Sequence, residues 1–263
     1  MGDARRLAAH RAIVVATRGG MPGLCPNNAD SFLKPFGPPV LQVAQEALPL
    51  LQQGGDVTVV AQAITSPVTA FNVTAKIAGR SKELPPLVVM TPRSGWWGCA
   101  SERGGGIACW LEVMRAMRAT APARDILFVA SSGHELGHLG INNFVERRAG
   151  IVEHSRAWMH FGANIGAAQN AGNSVQASDD EMETTLADAL LRDGLKVDRR
   201  VPRGTVPNGE AEVVHRGGGR YLSVIGGNAL FHNPADRGPE AVDIAAIARF
   251  AGAFTGIAGG LAL

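Results

Sequence analysis

Short apolar runs recur along the chain in the pattern of strands, at Ala12–Ala16, Asp56–Ala61, Asn72–Ile77, Leu87–Met90, Ile126–Ala130, Ala157–Phe161 and Tyr221–Ile225. Between the later runs the period changes. From Gly105 onward, Ile107, Trp110, Leu111, Met114 and Met117 keep the spacing of one face of an amphipathic helix. Ser178 followed by Glu181 forms a capping-box pair ahead of Met182, Leu186, Ala189 and Leu190, which predicts a second helix. A last helix is predicted from about Pro239, with Ile244, Ile247, Ala248, Ala251 and Phe254 on its face. Strands alternating with helices in this way predict an α/β protein, a three-layer sandwich with a mostly parallel central sheet and helices on both faces. The first 80 residues are richer in proline and poor in long helical patterns. The run Gly79-Arg80-Ser81-Lys82-Glu83-Leu84-Pro85-Pro86 reads as a boundary, dividing an N-terminal segment with its first strand, 1–80, from an α/β domain, 81–263.

Composition narrows the function classes. With 263 residues and 46% apolar content, the chain can bury a substantial core. Twenty-five Lys and Arg against 23 Asp and Glu, with no basic tract, give little support to nucleic-acid or membrane-surface binding. The expected partner is a small molecule or a peptide. Charge and proline break the apolar runs before the roughly 18 residues of a membrane span, and no signal-peptide pattern opens the sequence, so cytoplasmic residence is the default expectation. Cys25, Cys99 and Cys109 are an odd, widely spaced set, expected to be buried thiols rather than a disulfide framework or a structural zinc site.

The densest chemistry is Gly133-His134-Glu135-Leu136-Gly137-His138, directly after a predicted strand. Read as His-Glu-x-x-His it is the zincin pattern, with two histidines one helical turn apart holding zinc. Gly137 inside that turn, with Gly133 and Gly140 around it, makes a poor frame for such a ligand pair, since a helix-interior glycine costs about 1 kcal/mol relative to alanine. The other reading is a strand-end His-Glu pair, with His138 at a helix start. Functional groups of an open α/β sheet gather outside the carboxyl ends of its strands. The segments Thr91–Trp97, Ser131–Glu135 and Gly226–His232 qualify, and the amides of Glu102–Gly106, where the first helix begins, could cradle an anion. Ser94 with His134 nearby could form a nucleophile and base, but it lacks the Gly-x-Ser-x-Gly elbow and reads as a structural serine. Trp96 and Trp97, adjacent on an extended segment, should point opposite ways, one to a substrate and one into packing. His10, His154 and His215 carry no supporting pattern and read as surface residues.

In order, several segments resemble the M28 metallopeptidases, which include di-zinc aminopeptidases and single-zinc glutaminyl cyclases. Asn72-Val73-Thr74-Ala75 through Gly79 is similar to that family's opening strand, Gly106-Ile107-Ala108-Cys109-Trp110-Leu111-Glu112 to the helix after its bridging aspartate, Phe128 through Gly140 to its strand ending in Glu-Glu, and Phe231–Asp236 to its closing His-containing segment. Ile13–Gly20 and Pro38–Val59 resemble a shortened protease-associated domain. The resemblance implies an M28-like (zinc exopeptidase-like) fold with a reduced N-terminal segment. It also implies one surviving metal site: Glu102 in place of the bridging aspartate, Glu135 and His232, holding one divalent ion, zinc first, with iron or manganese also suited to two carboxylates and an imidazole. The other site falls on Pro92, Ser94 and the neighbourhood of Gly162, and is lost. The family's general base falls on His134, which would carry the proton in place of a glutamate. Arg103 would assist Glu135 and His134 in catalysis by stabilising an oxyanion, while Arg93, Ser94, Trp96, Trp97 and His160 would line the substrate site. The implied activity is a single-metal hydrolase acting on an amide or related acyl bond. The alternatives are intramolecular acyl transfer, as in the cyclases, and a non-catalytic binding module.

Overall fold

Alternation along β4 (Leu87–Pro92) shows how the layers are built. Leu87 and Val89 turn to one side of the sheet and Val88 and Met90 to the other, and all four are fully buried, each side in its own apolar core. In the computed structural model, which describes residues 1–263, the chain begins with α1 (Gly2–Leu7), β1 (Ile13–Ala16), β2 (Val40–Val43) and α2 (Leu48–Gln52). The main layer structure follows: β3 (Val73–Ile77), β4, α3 (Ala100–Arg118), β5 (Ile126–Ser131), α4 (Leu139–Glu146), α5 (Ile151–His154), β6 (Ala157–Phe161), β7 (Asn173–Ala177), α6 (Asp180–Arg192), β8 (Arg199–Arg200), α7 (Ala211–Arg216), β9 (Tyr221–Gly226) and α8 (Ile244–Leu261).

The main sheet has seven strands in the order β3-β5-β4-β6-β9-β7-β8, and β1 pairs separately with β2. Its centre, β5-β4-β6-β9, is parallel, while β3 and β7 run antiparallel to their inner neighbours. One face packs on α3, α6 and α8 through Trp110, Val113, Leu186, Leu190, Phe250 and Phe254. The other packs on α4, α5 and α7 through Ile141, Phe144, Val152 and Val214. This is the three-layer α/β sandwich the sequence predicts. Helix α8, apolar enough by composition to cross a membrane, buries Phe250, Phe254, Ile257 and Leu261 in the first of these cores.

Three local expectations change. Residues 56–61 form no strand, and Val57 and Val60 are exposed: without a neighbouring edge, a β-rich run has nothing to pair with. Strand β7, Asn-Ser-Val-Gln-Ala, is too polar to stand out, yet its Val175 and Ala177 are buried against the α6–α8 layer. Helix α3 starts at Ala100 rather than near Gly105, so the three glycines lie inside the helix and their amides join its ladder instead of cradling an anion. The anion at its N-terminus is internal. Asp236 accepts from Ser101 N–H and O–H, both at 2.7 Å, and from Glu102 N–H at 3.0 Å. Gly105 is needed for close approach, since a Cβ there would run into the Ile165 carbonyl.

Candidate functional site

Strand alternation also places the polar groups. Ser131 ends β5, His160 lies near the end of β6 and Ser223 in β9, with His160 in register with Ser223. All three are buried, and two of them converge on one carboxylate that sequence reasoning did not single out, that of Glu210 at the N-terminus of α7. Glu210 is fully buried. Its Oε1 accepts from Ser131 Oγ at 3.0 Å and lies 3.0 Å from His134 Nδ1, while Oε2 lies 3.2 Å from His160 Nε2. His160 Nδ1 is 2.8 Å from Ser223 Oγ. Burial by itself would raise the Glu210 pKa, but the two imidazoles overcome this and hold it well below the ordinary carboxylate value. The only sequence signal was the turn Pro207-Asn208-Gly209 before an acidic helix start, and nothing in it announces burial.

His134 faces a cleft of about 900 Å³ whose polar walls include Asn28, Asp30, Asn142, Asn208, Glu212 and Arg216, with His160 at its floor behind Glu210. The cleft opens at the carboxyl end of the parallel strands, the side an open α/β sheet uses. His134–Leu136 is a single 3₁₀ turn flanked by Gly133 at φ 68° and Gly137 at φ 91°, and α4 starts only at Leu139. His134 and His138 are therefore not on one helix, which removes the zincin geometry. His138 is the residue before α4, as the strand-end reading expects, but it packs beside His134 with ring centroids 4.9 Å apart and lies 3.9 Å from Glu212. Burial is the main cause that lowers its pKa.

The remaining expected site residues form a second polar cluster, also buried. Arg103 Nη2 lies 2.8 Å from Glu102 Oε1 and 2.8 Å from Glu135 Oε1, and its Nε donates to the Ser94 carbonyl at 2.6 Å. Ser94 Oγ donates to Glu135 Oε2 at 2.7 Å and accepts from the His134 N–H at 3.1 Å, tying the two clusters together. Burial works against the Arg103 charge, yet Glu102 and Glu135 outweigh it and the pKa of the guanidinium is raised. Burial likewise pushes the Glu135 carboxyl up, and Arg103 and Ser94 bring it below its ordinary value. His232 has its Nδ1 2.6 Å from the Pro26 carbonyl, with Nε2 3.4 Å from Glu102 Oε1.

The resemblance implies zinc here, and the residues can be tested for fit. Zinc would need a shared point about 2.0–2.2 Å from its oxygen and nitrogen ligands. His232 Nε2 lies 3.4 Å from Glu102, but the Arg103 guanidinium stands between Glu102 and Glu135. No group of three or more His, Cys, Asp or Glu side chains is arranged to hold a metal ion. The site as folded does not fit a resident ion. Arg103 and Glu135, both expected in catalysis, form an ion pair with each other.

Of the expected substrate contacts, Arg93 is exposed and donates to the Phe71 carbonyl at 2.8 Å. The indole N–H groups of Trp96 and Trp97 bond Asn28 Oδ1 at 3.2 Å and the His232 carbonyl at 3.1 Å. Both tryptophans therefore hold neighbouring segments of the site in place. Gly162 directly follows β6, where a Cβ would stand 2.9 Å from the Val224 carbonyl.

Together, the mostly parallel sheet and its two helix layers have the fold of the zinc aminopeptidases. The chain is similar to BSAP, a zinc aminopeptidase from Bacillus subtilis, with a TM-score of 0.75 and 16% identity over 96% of this chain and 64% of that one. It is similar also to an aminopeptidase from Aneurinibacillus sp. strain AM-1, with a TM-score of 0.67 and 15% identity over 94% of this chain and 64% of the other. With the LapA aminopeptidase of Legionella pneumophila the TM-score is 0.60 at 18% identity, over 73% of this chain and 54% of that one. The chain thus spans less than two thirds of the length of these proteins. No protein-family model and no curated protein matches the sequence.

Proposed function

We propose that the chain is a hydrolase acting on an amide or related acyl bond of a small polar molecule or peptide, with His134 as proton carrier. The observation that carries this reading is the buried Glu210 carboxylate 3.0 Å from His134 Nδ1, at the edge of a polar cleft. A carboxylate on Nδ1 fixes the imidazole orientation, directs Nε2 to the cleft and stabilises the positive charge that forms when the ring takes a proton. His134 removes a proton from water, the oxygen forms a bond to the acyl carbon, and the same proton passes to the leaving nitrogen or oxygen as the scissile bond breaks. His160 acts through Glu210, whose second oxygen it holds, and is a positioning residue. The fold similarity to zinc aminopeptidases supports the hydrolase class; the closed position between Glu102 and Glu135 gives no ion a part in these steps.

The test is a screen of aminoacyl and N-acyl p-nitroanilides and esters with the full chain, in isotopically labelled water. Turnover that incorporates labelled oxygen into the acid product and falls in His134→Ala supports the reading. Ring-forming acyl transfer would release product without that oxygen. Arg103 closing the metal position also favours a non-catalytic binding module, which would bind ligands in the cleft with no turnover.

A further inference from the structure

We infer that the Arg103 guanidinium is a built-in cation occupying the metal position of this fold, and that shortening this side chain opens a divalent-cation site formed by Glu102, Glu135 and His232.

Two buried carboxylates cannot share a dry space as anions without a cation between them. Glu102 is fully buried and Glu135 nearly so, and the charge that neutralises them belongs to the residue next to Glu102 in the chain. Adjacent residues on a helix do not normally face each other. Arg103 meets Glu102 because its stem is held elsewhere, by the Ser94 carbonyl on Nε and Glu135 on Nη2.

The match is incomplete, and the mismatch points to what the pocket is shaped for. Arg103 Nη2 is close enough to Glu102 Oε1 to pair with it but lies outside hydrogen-bond geometry. Both Glu102 oxygens, Arg103 Nη1 and His232 Nε2 are buried without a hydrogen-bond partner. His232, 7% exposed, has its Nδ1 tied to the Pro26 carbonyl, which turns Nε2 toward Glu102. A carbonyl on one ring nitrogen with the other aimed at a carboxylate is how proteins orient an imidazole toward a metal. His232 Nε2 and Glu102 Oε1 thus face each other at 3.4 Å without hydrogen-bond partners, and the guanidinium stands between Glu102 and Glu135. A planar fork of N–H groups satisfies part of this set and leaves the lone pairs of Glu102 and His232 Nε2 unused, and lone pairs of this kind are what a divalent ion binds.

The test uses the full chain dialysed against chelator, then titrated with zinc chloride, with metal content measured by mass spectrometry and melting temperature recorded with and without zinc. The wild-type protein should retain no stoichiometric zinc and melt at the same temperature in both conditions. Arg103→Ala and Arg103→Asn should each take up zinc, approaching one ion per chain, and melt higher with zinc than without; adding His232→Ala should abolish the uptake. Variants that unfold without metal and refold with zinc support the inference equally. Stoichiometric zinc in the wild-type protein that disappears in His232→Ala would overturn it. So would folded variants that bind no zinc, or unfolded variants that zinc fails to restore. Because the readout is metal content and melting, it can fail independently of the hydrolase reading.

Discussion

His134 Nδ1 lies 3.0 Å from Glu210 Oε1, across 76 residues of sequence, and this pair joins a strand-end loop to the start of a short helix. Each partner owes its position to a different part of the fold. His134 follows β5 through Gly133, and Glu210 is held by α7, whose Val214 packs in the core beneath the sheet.

If the pair acts as a unit, Glu210→Gln should lower kcat on any acyl substrate found by about 100-fold or more, the lower end of what a positioned general base contributes. His134→Ala should do the same, and the double variant should lose little beyond either single one, because residues acting together are not additive. Steady-state kinetics of the three variants checks this. Additive losses would show that the two residues act separately.

Gly209, directly before Glu210, has φ 68°, and a Cβ there would stand 2.9 Å from His160 Cε1. Gly209→Ala should therefore destabilise the protein by about 1–2 kcal/mol from the left-handed backbone alone. It should also displace Glu210 and reduce turnover. Urea unfolding together with kcat measures both effects, and an unchanged midpoint would show that the turn adapts freely.

Asp179, rather than the Ser178 of the expected capping box, caps α6 by accepting from Met182 N–H at 3.1 Å, and it is held by the Arg220 guanidinium through two 3.0 Å bonds. Those Arg220 bonds are the main cause that brings its pKa down from 3.8 to about 2. A carboxyl lowered on folding stabilises the protein above its unfolded value of about 3.9, and that contribution is lost as pH falls through the folded value. Asp179 is about a third exposed, so the effect is discounted for solvent screening, and Asp179→Ala should cost about 1 kcal/mol at neutral pH. Chemical denaturation of both proteins should show the gap narrowing below pH ~4. A gap independent of pH would mean that the carboxylate charge contributes nothing.

Phe254 stacks on Phe161 with centroids 4.0 Å apart, joining α8 to the end of β6. Both rings are fully buried. Phe254→Ala should cost about 3–5 kcal/mol, the usual range for emptying such a core position. Thermal or urea unfolding measures it, and a loss under 1 kcal/mol would show that the core collapses around the gap.

Much of the layer structure was legible in the sequence. The apolar runs of β4, β5, β6 and β9 carry enough Val, Ile, Leu and Phe to mark strands buried on both faces, and the helical spacing from Ile107 to Met117 marks a helix packed on them. The glycines around His134 already argued against a ligand-bearing helix. What failed were features that depend on a partner: Asp56–Ala61 has strand composition but no edge to pair with, while the polar β7 finds one in β9.

The sequence by itself determined which chemical groups stand at the strand ends, because alternation along a strand and a turn after it are local properties. His134 and Glu135 could be picked out in this way, whereas Glu102, in the first turn of α3, and His232, in the loop beyond β9, were singled out through the family resemblance. Only the tertiary structure decided how they pair. Arg103 neutralises Glu102 and Glu135 because Ser94, on the loop after another strand, holds its stem. Glu210 becomes the partner of His134 because α7 buries its carboxylate against β5 and β6, and charge in a dry interior goes to whichever opposite group the packing brings within reach.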